Sequence, residues 1–359
     1  MRAFFAHSNS GTVLNRAFRN WLPVVAYLSV GLLSILLAVS LGDLDNALAY
    51  FNPLAQLISA GIPLGENLAG ATQQAGLFSR LALLSLFFIV AFRAGYISLG
   101  FEGSLMVAIV LMTLAVYYVQ GMGGATIGVL IGALLSSLLL FLLFRRMIKS
   151  FYDGTIDDVT PGVVLNIAAI TLAGLALRAT GLFAGGKQSV ASSSVILAAD
   201  LGSAERSAWL ACAFFWITLA AAGGAAAMLR LTNFGLLLRA VGSNRGAARA
   251  AGVEFTRVAA GVALVSAGLI CVAGIIQFLM IGGVDTEKVR ALVVDVLTVS
   301  LLAQTRPAFV PIAALCVMGL NEVRIGLQVQ GLPMESVFLL QGTLIVAFSL
   351  AVSRGLPRA

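Results

Sequence analysis

Stretches of roughly twenty apolar residues, the length a straight helix needs to cross a hydrocarbon core, recur along nearly the whole chain. With 60% hydrophobic residues, 10% charged residues and a mean hydropathy of +1.02, a chain of 359 residues has too little polar surface to coat a water-facing globule. The spans read from the pattern are residues 21–41, 78–94, 103–119, 125–144, 161–177, 208–229 and 258–281, then three shorter ones at 291–303, 307–320 and 336–352. The expected architecture is an all-α polytopic membrane protein of about ten helices, some short or broken, forming one transmembrane domain over residues 1–359. The first run follows Arg2, Arg16 and Arg19 in the manner of a signal peptide, but it is long enough to span and reads as a retained helix.

The formal net charge of +7 does not point to nucleic acid, because the basic residues sit mostly at the ends of apolar runs, where they anchor helices and set orientation. With the N-terminus inside, fifteen basic residues are cytoplasmic: Arg2, Arg16, Arg19, Arg93, Arg145, Arg146, Lys149, Arg230, Arg239, Arg245, Arg249, Arg257, Arg306, Arg354 and Arg358. Seven fall outside, namely Arg80, Arg178, Lys187, Arg206, Lys288, Arg290 and Arg324. The asymmetry predicts that both termini are cytoplasmic. Residues 286–311 fit this map least well, and the two short helices there suit a re-entrant segment as readily as two spans.

Several features carry no chemistry. Cys212, Cys271 and Cys316 lie far apart in apolar segments, without disulfide or metal-ligand spacing. His7 stands alone in a polar tail. Gly181, Gly186, Lys187 and Gln188 match the spacing of a phosphate loop, but glutamine stands where a magnesium-binding hydroxyl is needed, and no strand precedes it. No cluster of histidines, cysteines or acids suggests catalysis, so the chain reads as a transport subunit and not an enzyme. Gly124, Gly128 and Gly132 share one helix face and permit close backbone approach, which internal packing explains better than an oligomer contact.

Residues 231–257 break the apolar pattern with Arg239, Arg245, Arg249 and Arg257 in an alanine-rich, helix-prone loop on the predicted cytoplasmic side. Ala247, Ala248 and Gly252 form an A-A-x-x-x-G core: small residues let a short helix press into a partner's groove, and glycine releases the chain into a turn. A basic surface helix drawn to anionic lipid is the competing reading.

The sequence FGLLLRAVGSNRGAARAAGV at 234–253 closely resembles the permease subunits of simple-sugar, nucleoside and branched-chain amino-acid ABC importers, especially the nucleoside and sugar branch. Three further patches, FRAGYISLGFEGSLMVA at 92–108, DDVTPGVVLNIAA at 157–169 and VVDVLTVSLLA at 293–303, resemble family segments in the same order, and the polar stretch at 51–75 also fits. The resemblance implies a bacterial inner-membrane translocation subunit that pairs with a second permease, identical or similar. A cytoplasmic ATP-binding subunit would carry ATP and Mg, an extracytoplasmic substrate-binding protein would deliver the solute, and this chain would bind no cofactor. Asn244, Arg245, Ala247, Ala248, Arg249 and Gly252 become the expected ATPase-coupling residues, with the two arginines at i,i+4 spacing as its contacts.

Within the spans, Glu102 and Asp295 need compensation, because an ionised acid near the bilayer centre costs about 3 kcal/mol or more. Glu102 sits where a helix starts after Gly100, so free N–H groups can hold its carboxylate, and a direct solute contact is an equal reading. Asp295 reads as a cap or a partner of Arg290 ahead of a ligand. Asn166 bonds a solute or cross-links helices, while Ser98, Ser104, Gln277 and Asn321 are further path candidates. Ser98, Ser104, Phe101 and Ala303 depart from the family's asparagine, glutamine, small residue and glycine, which keeps purines and nucleosides beside sugars as solutes. A proton-coupled carrier using Glu102 and Asp295 is the alternative function.

Overall fold

The computed structural model describes residues 49–61, 68–123, 125–157, 159–179, 204–281, 292–329 and 342. Among the described residues the chain is helical and contains no strand, as lipid demands of a segment whose backbone groups must be satisfied internally. The helices are α1 (Asn52–Gly61), α2 (Leu68–Arg93), α3 (Phe101–Gly123), α4 (Ala125–Tyr152), α5 (Thr160–Ala179), α6 (Ala204–Leu231), α7 (Asn233–Ser243), α8 (Arg245–Ala250), α9 (Phe255–Ile281), α10 (Leu292–Leu302) and α11 (Val310–Val329).

Five of these are long and apolar enough to cross a membrane, or six if α10 and the helix after it count as one broken span. The expected tally of about ten is thus not reached among the described residues. The run at 21–41, that at 336–352 apart from residue 342, His7, Gly124 and the phosphate-loop decoy at 181–188 lie outside them. The pair at 292–323 bends by 115°, the broken or re-entrant form anticipated for this region. Gln304 and Thr305, both non-glycine residues with φ of 52° and 54°, make the bend.

Helix α2 is the hub, packed against α1, α6, α9, α10 and α11. It begins at Leu68, ten residues before the apolar run read from the sequence, and this corrects the placement of Arg80. Arg80 is not in an outer loop: it is buried within the span Ala71–Arg93, with about 13 Å of helix on one side and about 20 Å on the other. Polar side chains tie the hub to its neighbours. Ser79 donates to the Phe214 carbonyl on α6 (2.9 Å), Ser85 to the Val296 carbonyl on α10 (3.2 Å), and Gln74 to Glu322 on α11 (2.7 Å).

Helices α3 and α4 pack through the glycine face. An added Cβ on Gly128 would stand 2.6 Å from Val116 Cα, and one on Gly132 would collide with Met112 Cα, so these two glycines serve internal packing. Helix α5 packs chiefly on α3 and leaves Val164, Ile167, Leu172 and Leu175 exposed.

Candidate coupling surface and solute path

One end of the bundle collects the basic residues. Arg145, Arg146 and Lys149 occupy the closing turns of α4, and Arg230 the last turn of α6. Arg93, at the end of α2, donates through Nε and Nη2 to the Thr305 carbonyl (3.1 and 3.0 Å), which joins the α2 terminus to the bend after α10. Tyr152, at the end of α4, donates to the Ala94 carbonyl at 3.0 Å. Six cytoplasmic assignments made from charge placement, Arg93, Arg145, Arg146, Lys149, Arg230 and Arg306, therefore share one end with the 231–257 stretch.

That stretch folds as two short helices. Thr232 caps α7 by accepting from the Gly235 N–H (3.1 Å), and Gly235, Leu238 and Val241 make its buried face. Asn244 then serves both helices. In extended backbone, its N–H donates to the Ala240 carbonyl to close α7, while its side-chain oxygen accepts from the Ala247 N–H (3.0 Å) to open α8. Helix α8 ends in a Schellman motif: Val253 N–H reaches the Ala248 carbonyl and Gly252 N–H the Arg249 carbonyl, both at 3.0 Å, with Gly252 at φ +79°. The turn expected of this glycine is present. Helix α7 also meets the hub backbone to backbone, since a Cβ on Gly242 would collide with the Arg93 carbonyl.

Within α8, Ala248 is buried, and Asn244, Gly246, Ala247 and Ala250 are exposed. The two arginines hold on to their own chain. Arg245 donates to the Gly95 carbonyl (3.1 Å) with its guanidinium 3.8 Å from the centre of the Phe151 ring, and Arg249 donates to the Tyr152 carbonyl (3.2 Å) with its guanidinium 5.2 Å from Phe255. These bonds clamp α8 onto the ends of α2 and α4, a role the i,i+4 spacing alone did not disclose.

Hydrogen bonds sort the expected solute-path residues into three clusters. The first surrounds the start of α3. Asn166 on α5 accepts from the Gly103 N–H (2.7 Å) and donates to the Leu99 carbonyl (2.8 Å), so it acts as a cross-link. The contact depends on Gly103, where a Cβ would sit 2.6 Å from Asn166 Cα. Ser104 donates to the Gly100 carbonyl (2.6 Å), and Glu102 lies half-buried in the first turn, where N–H groups favour a carboxylate. Ser98 is buried, and its hydroxyl has no hydrogen-bond partner among the described residues.

The second cluster joins Arg80, which donates to the side-chain oxygen of Gln277 on α9; the Gln277 amide nitrogen is buried without a partner among the described residues. Sequence reasoning placed Arg80 outside because an apolar run starting at residue 78 puts it at the end of a span, whereas the helix starts at Leu68. In the third, Asp295 in the first turn of α10 accepts from Asn321 on α11 at 3.0 Å. Arg290, the partner expected from the sequence, lies outside the described residues.

A family model described as a branched-chain amino acid transport system permease component matches residues 70–349, which takes in the hub, the capped helix pair and all three clusters. The chain belongs to that permease family. No curated protein and no solved structure matches it. Membership makes this permease a multi-pass membrane subunit of a transport system and not an enzyme, and it implies an ATP-binding subunit and a substrate-binding protein as partners.

Proposed function

We propose that this permease is the translocation subunit of an ATP-binding-cassette importer for a nucleoside, purine or simple sugar, in a bacterial inner membrane with both termini cytoplasmic. The observation that carries the reading is the α7–α8 bracket: two helices sharing Asn244 as cap and hinge, seated at the basic end on the termini of α2 and α4. The positive-inside rule puts that end in the cytoplasm. The exposed face of α8, formed by Gly246, Ala247 and Ala250, is the surface offered to the ATPase, which alone carries ATP and Mg. Arg245 and Arg249 pass the ATPase's motion to the bundle through the Gly95 and Tyr152 carbonyls. The α3–α5 brace at Asn166 then shifts with the second permease, which packs on the exposed side of α5. Ser98 and Gln277 support a neutral polar solute, because each buries a polar atom without a partner among the described residues that a passing solute can satisfy.

The test is Ala248→Trp in proteoliposomes holding the ATPase and binding protein. Lifting α8 off its seat should leave ATP hydrolysis running while uptake falls at least about tenfold, the size of a typical coupling energy. Normal uptake would overturn the coupling role. A proton-coupled carrier is not favoured by membership in a family of permease components; uptake by this chain alone, driven by a pH gradient without nucleotide, would reinstate it.

A further inference from the structure

A pocket of about 330 Å³ opens at the basic end, and four arginines from four different parts of the chain line it: Arg93 closing α2, Arg230 closing α6, Arg239 on α7 and Arg306 in the bend before α11. Ala226 and Leu229 supply apolar wall, and none of the described residues that line it is acidic. Arg93 lies near enough to Arg230 and Arg239 to feel their charge. Local interactions account for part of this arrangement: Arg93 donates to Thr305, Arg239 donates to the Gly235 carbonyl (3.2 Å), and Arg306 lies 5.9 Å from the Phe309 ring. None of them brings a negative charge to the pocket. The guanidinium groups of Arg93, Arg230 and Arg239 around one concavity are matched by a ligand with several anionic oxygens, for which the planar arginine fork is suited.

We propose that this pocket binds the phosphate of an anionic phospholipid from the cytoplasmic leaflet. The surroundings favour a lipid over a soluble anion. Helix α6, whose last turns form the wall, has only 28% of its most apolar stretch buried. Leu231, next to Arg230 in the chain, and Leu236 on α7 are exposed, as are Trp216 and Ile217 farther along α6. Between them, a Cβ added to Gly223 or Gly224 would meet nothing within 4 Å, so the helix offers a shallow apolar track running toward the arginines. A headgroup in the pocket with its chains along α6 satisfies the charge and covers the track together. Because the four arginines sit on the hub, on α6, on the bracket and on the bend, the lipid braces the bracket against the bundle. The inference rests on membrane placement and is independent of the solute proposed above.

The experiment is native mass spectrometry and thermal unfolding of the detergent-solubilised permease with phosphatidylglycerol, with phosphatidylcholine, or with inorganic phosphate alone. Wild type is expected to retain phosphatidylglycerol and be stabilised by it, and to respond to neither alternative. Arg230→Gln with Arg239→Gln should weaken phosphatidylglycerol binding at least about tenfold, the scale of losing one charge-assisted hydrogen bond. Arg145→Gln with Arg146→Gln, at the same end but outside the pocket, should leave it unchanged. If the first pair fails to fold, Arg230→Gln alone carries the same expectation. Equal loss in both pairs would reduce the effect to general surface charge and overturn the proposal. Phosphate stabilising as well as the lipid would make the ligand a soluble anion, and unchanged lipid binding in the pocket variants with the ATPase no longer copurifying would make the pocket a protein docking site; either result overturns it.

Discussion

Helices α2 and α6 are both apolar enough to span a bilayer, yet 89% of the most apolar stretch of α2 is buried against 28% for α6. The average apolarity of a span does not separate the two, because lipid tails are as apolar as leucine and an apolar face has no preference for protein over bilayer. Polar side chains separate them. Gln74, Ser79, Arg80 and Ser85 on α2 each reach a different helix, whereas Thr218 on α6 folds back onto its own Phe214 carbonyl. In this bundle the residues that look least suited to a membrane mark the side facing protein.

The largest expected effect lies at Arg80. Replacing Gln277 with Leu removes one acceptor from a buried guanidinium, and unfolding in detergent should show a loss of about 3 kcal/mol, the upper end for a hydrogen bond to a charged group. Arg80→Met, which removes the charge but strands the amide, should cost about 2 kcal/mol. The double variant should lose clearly less than the sum, as expected for one shared interaction. Strict additivity would mean that the two side chains do not depend on each other, and the contrast with α6 would lose its strongest member.

A smaller loss is expected where the α3–α5 cross-link is cut. Asn166→Leu removes two hydrogen bonds to backbone groups at the start of α3 and should cost about 1.5 kcal/mol, near the upper end measured for polar contacts in membrane bundles. Asn166→Gln, which keeps the amide but moves it by a methylene, should recover only part of this. Full recovery would show that the amide need not sit where Gly103 and Leu99 place it.

At Gly252 the cost comes from backbone conformation alone. An added Cβ would meet nothing within 4 Å, so Gly252→Ala tests only the left-handed φ, with an expected loss of about 1 kcal/mol. Uptake should fall more than stability does if the bracket transmits motion, which transport assays in proteoliposomes would reveal.

These cases also mark what the sequence discloses. The position of most helices is legible, since each described span overlaps an apolar run, and the turn after α8 is legible because glycine is the residue a left-handed position requires. The start of α2 is not, because Gln73 and Gln74 look like loop until the partner of Gln74, Glu322 on α11, is known. Arg245 and Arg249 read as outward contacts for the same reason: Phe151 and Tyr152, which hold them, come from another helix about ninety-five positions earlier. The bend at Gln304 and Thr305 was legible only as an ambiguity, since neither residue type announces a positive φ.

The smallest effect belongs to α6. Trp216→Leu changes an exposed apolar side chain for another, and in lipid the shift should stay within about 0.5 kcal/mol, because the environment on either side of the change is hydrocarbon. The same substitution distinguishes the two exposed faces. If the second permease packs on α5, Ile167→Trp there should weaken the permease pair, measured by mass photometry in nanodiscs, while Trp216→Leu leaves it intact. The reverse result would move the permease partner to α6, leave α5 to the lipid, and close the apolar track proposed to lead to the four-arginine pocket.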